Sequence, residues 1–303
     1  MKSPVVLAYA GGIHASAAIP WLADTLGVEV VTVTLDVGQG HELAELRARA
    51  LACGAVRAHA VDARDGFARD VLVPSLFTSE PADAPRPSIS RLPWPLIART
   101  LTEIARIEGA GAVAHGSTDP AFDACIHAVD SSVSIIAPAR EWTMNDADLI
   151  EYARVRRLPL LGPATPGCRI DRNMWGRSIA WEGDDEPSAV RAPRARGRVH
   201  EPALVDIHFE RGMPTAVNGV PMSPAELIDC LSLIGSQHRV GRRHVSLPGS
   251  RHVVHDAPAA TILRAAAAEV GESGSADVCL RLADGQYIVL NPADRHALLV
   301  NYA

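Results

Sequence analysis

Lysine is almost absent from this chain of 303 residues: Lys2 stands alone, and the other 28 basic residues are arginine. Beyond Lys2 no lysine is available as a phosphate ligand or Schiff-base amine, so cationic chemistry falls to arginine and histidine. Cysteine is scarce too. Cys53, Cys125, Cys168, Cys230 and Cys279 are odd in number, far apart and never in C-x-x-C spacing, which excludes a disulfide framework or a structural zinc site and predicts plain buried thiols. Hydrophobic residues make up 48% of the chain but form no run near the roughly 20 residues a membrane-spanning helix needs. A formal net charge of -6 disfavours the basic surface that nonspecific nucleic-acid binding requires. Met1-Lys2-Ser3-Pro4 leads straight into a strand without a leader pattern, which predicts a cytoplasmic protein.

What is present is alternation. Strand patterns at 5–8, 29–35, 58–61, 112–115 and 134–137 interleave with helix patterns at 15–26, 41–51, 65–73, 96–108 and 145–156. This is the signature of a doubly wound α/β fold with a parallel sheet. Gly27 stops the first helix, and Asn145 caps the last with acids in its first turn. The polar stretch 78–87 reads as an exposed loop. After Pro159 the alternation ends, and 182–200, dense in Asp, Glu, Pro, Arg and Gly, reads as irregular. Hairpins follow at 203–217 and, around Asp284-Gly285, at 277–290, with helices at 227–234 (opened by a Ser223–Glu226 capping box) and 259–270. The second part is therefore α+β, and the domains are expected to be 1–163 and 164–303.

In open parallel sheets ligands sit outside the carboxyl ends of the strands. That location selects the loops at 10–16, 36–40 and 116–123. The first, Ala10-Gly11-Gly12-Ile13-His14-Ala15-Ser16, joins a buried strand to a helix N-terminus, where backbone amides and the helix dipole suit a phosphate. Two readings stand: a phosphate cradle, or a tight turn where glycine only relieves sterics. His14 is either a phosphate-facing cation or an exposed polar side chain. His238, His244, His252 and His255, interspersed with Arg239, Arg242, Arg243 and Arg251, match no zinc spacing; they form either an anion-binding patch or a solvated face.

The loop is similar to the Ser-Gly-Gly-x-Asp-Thr-Ser loop of N-type ATP pyrophosphatases. Other collinear blocks are Pro20-Trp21-Leu22, Thr34-Leu35-Asp36-Val37-Gly38-Gln39-Gly40, Ala112-Val113-Ala114-His115-Gly116, Arg140-Glu141-Trp142, Asn173-Met174-Trp175-Gly176-Arg177-Ser178 and Val217-Asn218-Gly219. Together they resemble argininosuccinate synthetase over nearly the whole chain. The resemblance implies an adenine nucleotide alpha hydrolase-like domain followed by a synthetase domain. It also implies a reaction in which ATP, usually with Mg²⁺, adenylates citrulline, pyrophosphate leaves, and the aspartate amine displaces AMP. It places nucleotide contacts at Ala8, Ala10, Gly11, Gly12, His14, Ser16, Asp36, Gly38, Gln39 and Gly116, and substrate contacts at Thr118, Asp123 and Ser178; no catalytic residue and no metal ligand of the protein is assigned.

Ligand-facing positions depart from the family together. Ala10, His14 and Ala15 replace the loop's Ser, Asp and Thr; Pro120, Phe122 and Ile126 replace Lys, Asn and Arg; Trp94 replaces an Arg. Arg86-Pro87-Ser88-Ile89 replaces Tyr-Pro-Leu-Ser, Arg169 replaces a Ser, and Arg243 and His255 replace a citrulline-facing Glu and Tyr. The expected protein is a diverged, shortened relative that binds an adenine nucleotide and ligates an altered small-molecule substrate. The alternative is an inactive pseudoenzyme with a binding or regulatory role, and behind both stands a true argininosuccinate synthase of arginine biosynthesis, which would have to replace nearly every citrulline contact. The helix at 259–270 leads almost directly into the last hairpin, where the family has further helices, so a homodimer is expected rather than the family tetramer.

Overall fold

The computed structural model describes residues 3–78, 89, 91–160, 168–190, 201–247 and 251–291. Most of the expected loop at 78–87 and the second half of the irregular stretch at 182–200 lie outside these residues. Along the chain come β1 (Val5–Ala8), α1 (Ile13–Leu26), β2 (Val30–Asp36), α2 (Leu43–Ala52), β3 (Arg57–Asp62), the short α3 (Arg64–Phe67), α4 (Trp94–Glu108), β4 (Ala112–His115), α5 (Ala121–Val129), β5 (Ser134–Ile136), the short α6 (Pro138–Glu141) and α7 (Asp146–Val155). There follow β6 (Cys168–Asn173), β7 (Gly176–Glu182), β8 (Ala203–Glu210), β9 (Met213–Val217), β10 (Val220–Pro221), α8 (Pro224–Gln237), β11 (Arg242–Leu247), β12 (Arg251–Asp256), α9 (Pro258–Val270), β13 (Ala276–Ala283) and β14 (Gln286–Leu290). The chain divides into two compact units, Met1–Ala63 with Pro93–Ala164, and Arg64–Leu92 with Thr165–Ala303. Among the described residues no helix is long and apolar enough to cross a membrane.

The first unit is a parallel sheet in the order β3-β2-β1-β4-β5. Its middle strands are buried because their sequences are nearly all β-branched or aliphatic: Val31, Val33 and Leu35 of β2 lie within the core. On the other face Leu7, Ile19 and Leu22 are fully buried in a cluster with Val5 and Val30, each contributing about 1.5–3 kcal/mol of burial. Helix ends follow local chemistry. Gly27 and Gly109 take left-handed φ values of 63° and 62° as caps, and Asn145 accepts from Ala147 and Asp148 N–H in a capping box. The strand order reverses between β1 and β4, and such a switch point opens a crevice at the carboxyl ends.

The second unit holds two antiparallel sheets, β10-β9-β8-β13-β14 and β11-β12-β7-β6. Helices α8 and α9 meet at Gly235, where a Cβ would lie 2.8 Å from Pro258 Cβ, so only glycine allows the approach. Asp284 and Gly285 make the β13–β14 turn with φ 48° and 83°, the pattern an Asp-Gly hairpin predicts.

The structure departs from the sequence reading in four segments. Residues 65–73 are not one helix: α3 gives way to a π-turn at Ala68–Leu72 and a 3-10 turn at Pro74–Leu76. Helix α5 was unforeseen, because its first turn carries no capping side chain and follows Pro120. The hairpins β6–β7 and β11–β12 were unforeseen because their strands, such as Arg242-Arg243-His244, are too charged to show an apolar alternation.

Candidate functional site

At the end of β1, Tyr9 N–H still donates to Val33 O at 2.8 Å, so the strand stays paired up to the glycines. Gly11 then adopts φ 78°, where a residue with a Cβ is strained by about 1–2 kcal/mol. Gly12 differs. Its φ of -69° and ψ of 161° suit any residue, and a Cβ there would meet no heavy atom within 4 Å. The fold does not require glycine at 12; the space beside it is open. Gly12 is the N-cap of α1, whose ladder begins with Ser16 N–H to Gly12 O at 2.9 Å, and no side chain caps the amides before it. Backbone donors and the helix dipole converge there, an arrangement that suits an anion.

The side chains of this loop are arranged otherwise than the motif suggests. Ser16 is fully buried, with Oγ 3.2 Å from Tyr9 OH, so its hydroxyl faces the core. Burial pushes the Tyr9 phenol up to about 12, against a lowering hydrogen bond from Ser16, and burial likewise raises the nearby Cys53 thiol. Cys53 and Tyr9 carry no signal in the sequence that would join them to Ser16. His14 is half-buried rather than exposed, its ring stacked on Trp142 at 6.2 Å and 30°, and Trp142 in turn meets Trp21 edge-on at 6.1 Å. Ala8 is half-buried, and Ala10 is exposed at the mouth of the turn.

The loop after β2 closes on itself. Asp36 Oδ1 accepts from Gly38 N–H at 2.8 Å; Gln39 Oε1 accepts from Val37 N–H at 2.8 Å while its Nε2 donates to Leu35 O at 2.7 Å. Asp36 and Gln39 thereby shape the turn, with Gly38 at φ 85°. After β4, Gly116 lies against the first turn of α1, since its Cβ would stand 3.5 Å from both Ala15 N and His14 Cβ.

His115, 1% exposed, organises this second loop. Its Nδ1 accepts from Ser117 N–H at 3.2 Å, which assigns the proton to Nε2; Nε2 then donates to Asp123 Oδ1 at 2.9 Å. Arg140 donates to the other oxygen, Oδ2, at 2.7 Å. Burial pushes the His115 imidazole below its ordinary value despite Asp123. Burial raises the Asp123 carboxyl, but hydrogen bonds from Arg140 and His115 outweigh it and hold the group low. Both oxygens of Asp123 are engaged, whereas Thr118 is exposed. Sequence reasoning missed Arg140 and the role of His115, although both lie in the quoted blocks. Phe122 packs on His115 at 4.9 Å and on Trp94 at 5.2 Å, so the departures at 94 and 122 form one aromatic contact.

In the second unit Ser178 is buried on β7. Register places Arg243, His255, Ser178 and Asp171 in one row across β11, β12, β7 and β6. Strand alternation puts Arg169, Glu182 and Arg251 on that same face. The opposite face holds Arg177, whose guanidinium contacts Asp256 at 2.9 Å, and Trp181, grouped with His244 and His252 at ring distances of 5.6 and 5.1 Å. Histidine is therefore not a uniform surface decoration: His115 and His238 are buried. Cys53 and Cys279 are buried thiols, while Cys125, Cys168 and Cys230 are partly exposed.

Comparison with known proteins matches residues 4–159 to the "Arginosuccinate synthase N-terminal HUP domain" and 169–281 to the "Arginosuccinate synthase C-terminal domain". The chain is 39% identical over 277 residues to the argininosuccinate synthase of Pyrobaculum aerophilum, covering 86% of this chain and 70% of that protein. It is 38% identical over 278 residues to that of Brevibacillus brevis, covering 86% and 66%, and 36% identical over 285 residues to that of Oceanobacillus iheyensis, covering 89% and 68%. It thus spans about two thirds of the length of these relatives. A parallel sheet with its switch point beside a glycine turn, and an antiparallel unit after it, accord with both matches, and the chain belongs to the argininosuccinate synthase family.

Proposed function

We propose that the protein binds an adenine nucleotide at the turn between β1 and α1 and forms a C–N bond on a small substrate, releasing AMP and pyrophosphate. Gly12 carries this reading. The fold leaves it free to be any residue, yet it is glycine, and the open space beside it adjoins uncapped amides. The residues fit a polyphosphate: Gly11 makes the bend, the first turn of α1 presents its N–H groups, and Gly116 brings the loop after β4 against that turn. ATP supplies the adenylyl group and a leaving pyrophosphate. Mg²⁺ travels with the nucleotide in this reading.

The chain's own contribution is mainly positioning. Asp123, clamped by His115 and Arg140, fixes the start of α5 rather than meeting a ligand with a free carboxylate. Preorganised backbone donors at a helix N-terminus stabilise charge that develops on a leaving group. The relatives all carry synthase names, which supports a ligase over the pseudoenzyme alternative. The substrate in this reading is not citrulline, a homodimer is the working assembly, and the protein acts in the cytoplasm.

Calorimetry with ATP and Mg²⁺, followed by a pyrophosphate-release screen over amino acids and ureido compounds, tests the reading. Binding at millimolar ATP or tighter, with release driven by one screened compound, is expected. Absence of ATP binding at millimolar concentration refutes the ligase, and citrulline-dependent release refutes the altered substrate.

A further inference from the structure

A sheet edge presents unpaired peptide groups to any strand that meets it, and proteins guard such edges with short strands, charge or proline. Five of the six sheet edges here are guarded in this way. β3, β6 and β11 each carry charged side chains, β5 is three residues long, and β10 is two, one of them Pro221. The sixth edge is β14, Gln286-Tyr287-Ile288-Val289-Leu290, five residues with neither charge nor proline. Tyr287 is 42% exposed and Ile288 55%.

The hairpin fixes which of its peptide groups face outward. Asp284-Gly285 is a two-residue turn, so the closing pair Ala283–Gln286 exchanges hydrogen bonds, and the pairs of the antiparallel ladder alternate from there. Gln286, Ile288 and Leu290 spend their N–H and C=O groups on β13. Tyr287 and Val289 turn theirs away from it, and among the described residues no strand receives them. That arrangement is its own complement. An antiparallel copy turned about a two-fold axis through Ile288 sets Tyr287 opposite the partner's Val289, and every outward N–H of both residues finds a carbonyl. Ile288 then stands opposite its own copy, while Tyr287 and Val289 form the aromatic and β-branched cross-strand pair that sheets favour.

We infer that β14 is a docking edge for a second copy of this chain, joining two five-stranded sheets across a two-fold axis at Ile288. A chain of net charge -6 repels its own copy, and this uncharged strand is where two copies meet without like charges in contact. An interface of so few residues is small, so the dimer is a reversible one. The inference deepens the homodimer reading above by naming its surface, and rests on that reading for the dimer being the working assembly.

Sedimentation velocity of the full chain is expected to show a dimer that dissociates on dilution, and hydrogen exchange should find the amides of Tyr287 and Val289 better protected as concentration rises. Ile288→Lys and Ile288→Glu each set like charges against one another at the axis, on a side chain exposed enough to leave the fold intact. Each should raise the dimer Kd roughly tenfold or more. Mixed in equal amounts, the two variants should restore the dimer, which a merely destabilised strand would not do. Circular dichroism and thermal melting of both variants confirm folding. A monomeric wild type overturns the edge and the homodimer reading together. A dimer indifferent to both variants, or a mixture that stays monomeric, overturns the edge and leaves the homodimer standing. A monomer whose β14 amides gain protection only from an added uncharged peptide also overturns it, since the edge then serves a foreign strand. ATP–Mg²⁺ titration of the same samples keeps the ligase separate, because lost ATP binding with the dimer intact removes only the ligase.

Discussion

Replacing Gly12 by alanine separates a glycine kept for the chain's own sake from one kept for a ligand. The backbone at 12 already has the φ and ψ of an ordinary residue, and the added methyl touches nothing within 4 Å. Alanine is a poorer N-cap than glycine by up to about 1 kcal/mol. Against this, removing glycine's freedom from the unfolded chain stabilises by about 0.4–1 kcal/mol. The two nearly cancel, and the expected change in stability is within about 0.5 kcal/mol. Gly11→Ala, forced into φ 78°, should instead cost about 1–2 kcal/mol. Nucleotide binding responds the other way round. The new methyl at 12 stands in the open space by which a phosphate reaches the amides of α1. Losing one charge-assisted hydrogen bond is worth about 1.5–3 kcal/mol, so Kd for ATP should rise roughly tenfold to a hundredfold. Urea denaturation and calorimetry on the same preparation read both quantities. A folded Gly12→Ala that binds ATP like the wild type refutes the cradle. A loss of more than about 2 kcal/mol shows that glycine serves the fold after all.

Ser16→Ala should destabilise by about 1–3 kcal/mol, because it strips the buried Tyr9 hydroxyl of one of its partners, Cys53 being the other, yet leave Kd for ATP within threefold; a larger rise in Kd with unchanged stability would mean the hydroxyl serves phosphate. Burial holds folded His115 below its ordinary value of about 6.5, so between the two values the unfolded chain binds a proton that the folded chain does not. The stability contributed by the neutral ring is complete above pH 6.5 and declines as pH falls from there, by at most about 1.4 kcal/mol per unit, and Asp123 adds a second decline from about pH 3.9 downward. Urea midpoints at pH 8, 6 and 5 should fall in the wild type and fall less in His115→Gln; a flat wild-type profile contradicts the assignment. Asn145→Ala removes both acceptor bonds of the α7 capping box and should cost about 1 kcal/mol by urea denaturation, with no change in ATP binding.

The parts of the fold legible in the sequence are those whose cause is local. Gly27 ends a helix because the left-handed cap is a property of one residue, and Asn145 and Ser223 start them because a cap spans three. β2 is plain because a strand buried on both faces reads as a near-continuous β-branched run. The strands β6, β7, β11 and β12 are not legible because their identity lies in pairing with one another, and a strand with charged residues on both faces, such as β11, has no clean period of two.

The candidate site divides along the same line. A motif names positions but not directions. Ser16 stands where the loop pattern wants a hydroxyl, and only the structure turns it toward Tyr9. Trp94 and Phe122 read as two separate losses, yet at 5.2 Å they are a single exchange of polar groups for an aromatic contact. The row on the second unit's sheet is more remote still from sequence, because one residue of slippage between β11 and β12 would turn Arg242 and His244 to that face and Arg243 away. Anchors on the opposite face oppose such a slip. Arg242 donates to Val190 O and lies 3.8 Å from Asp256, while Arg177 holds the same carboxylate at 2.9 Å. Slippage would have to break these half-buried contacts together. The face to which Arg243 turns is thus fixed by residues on the other side of the sheet.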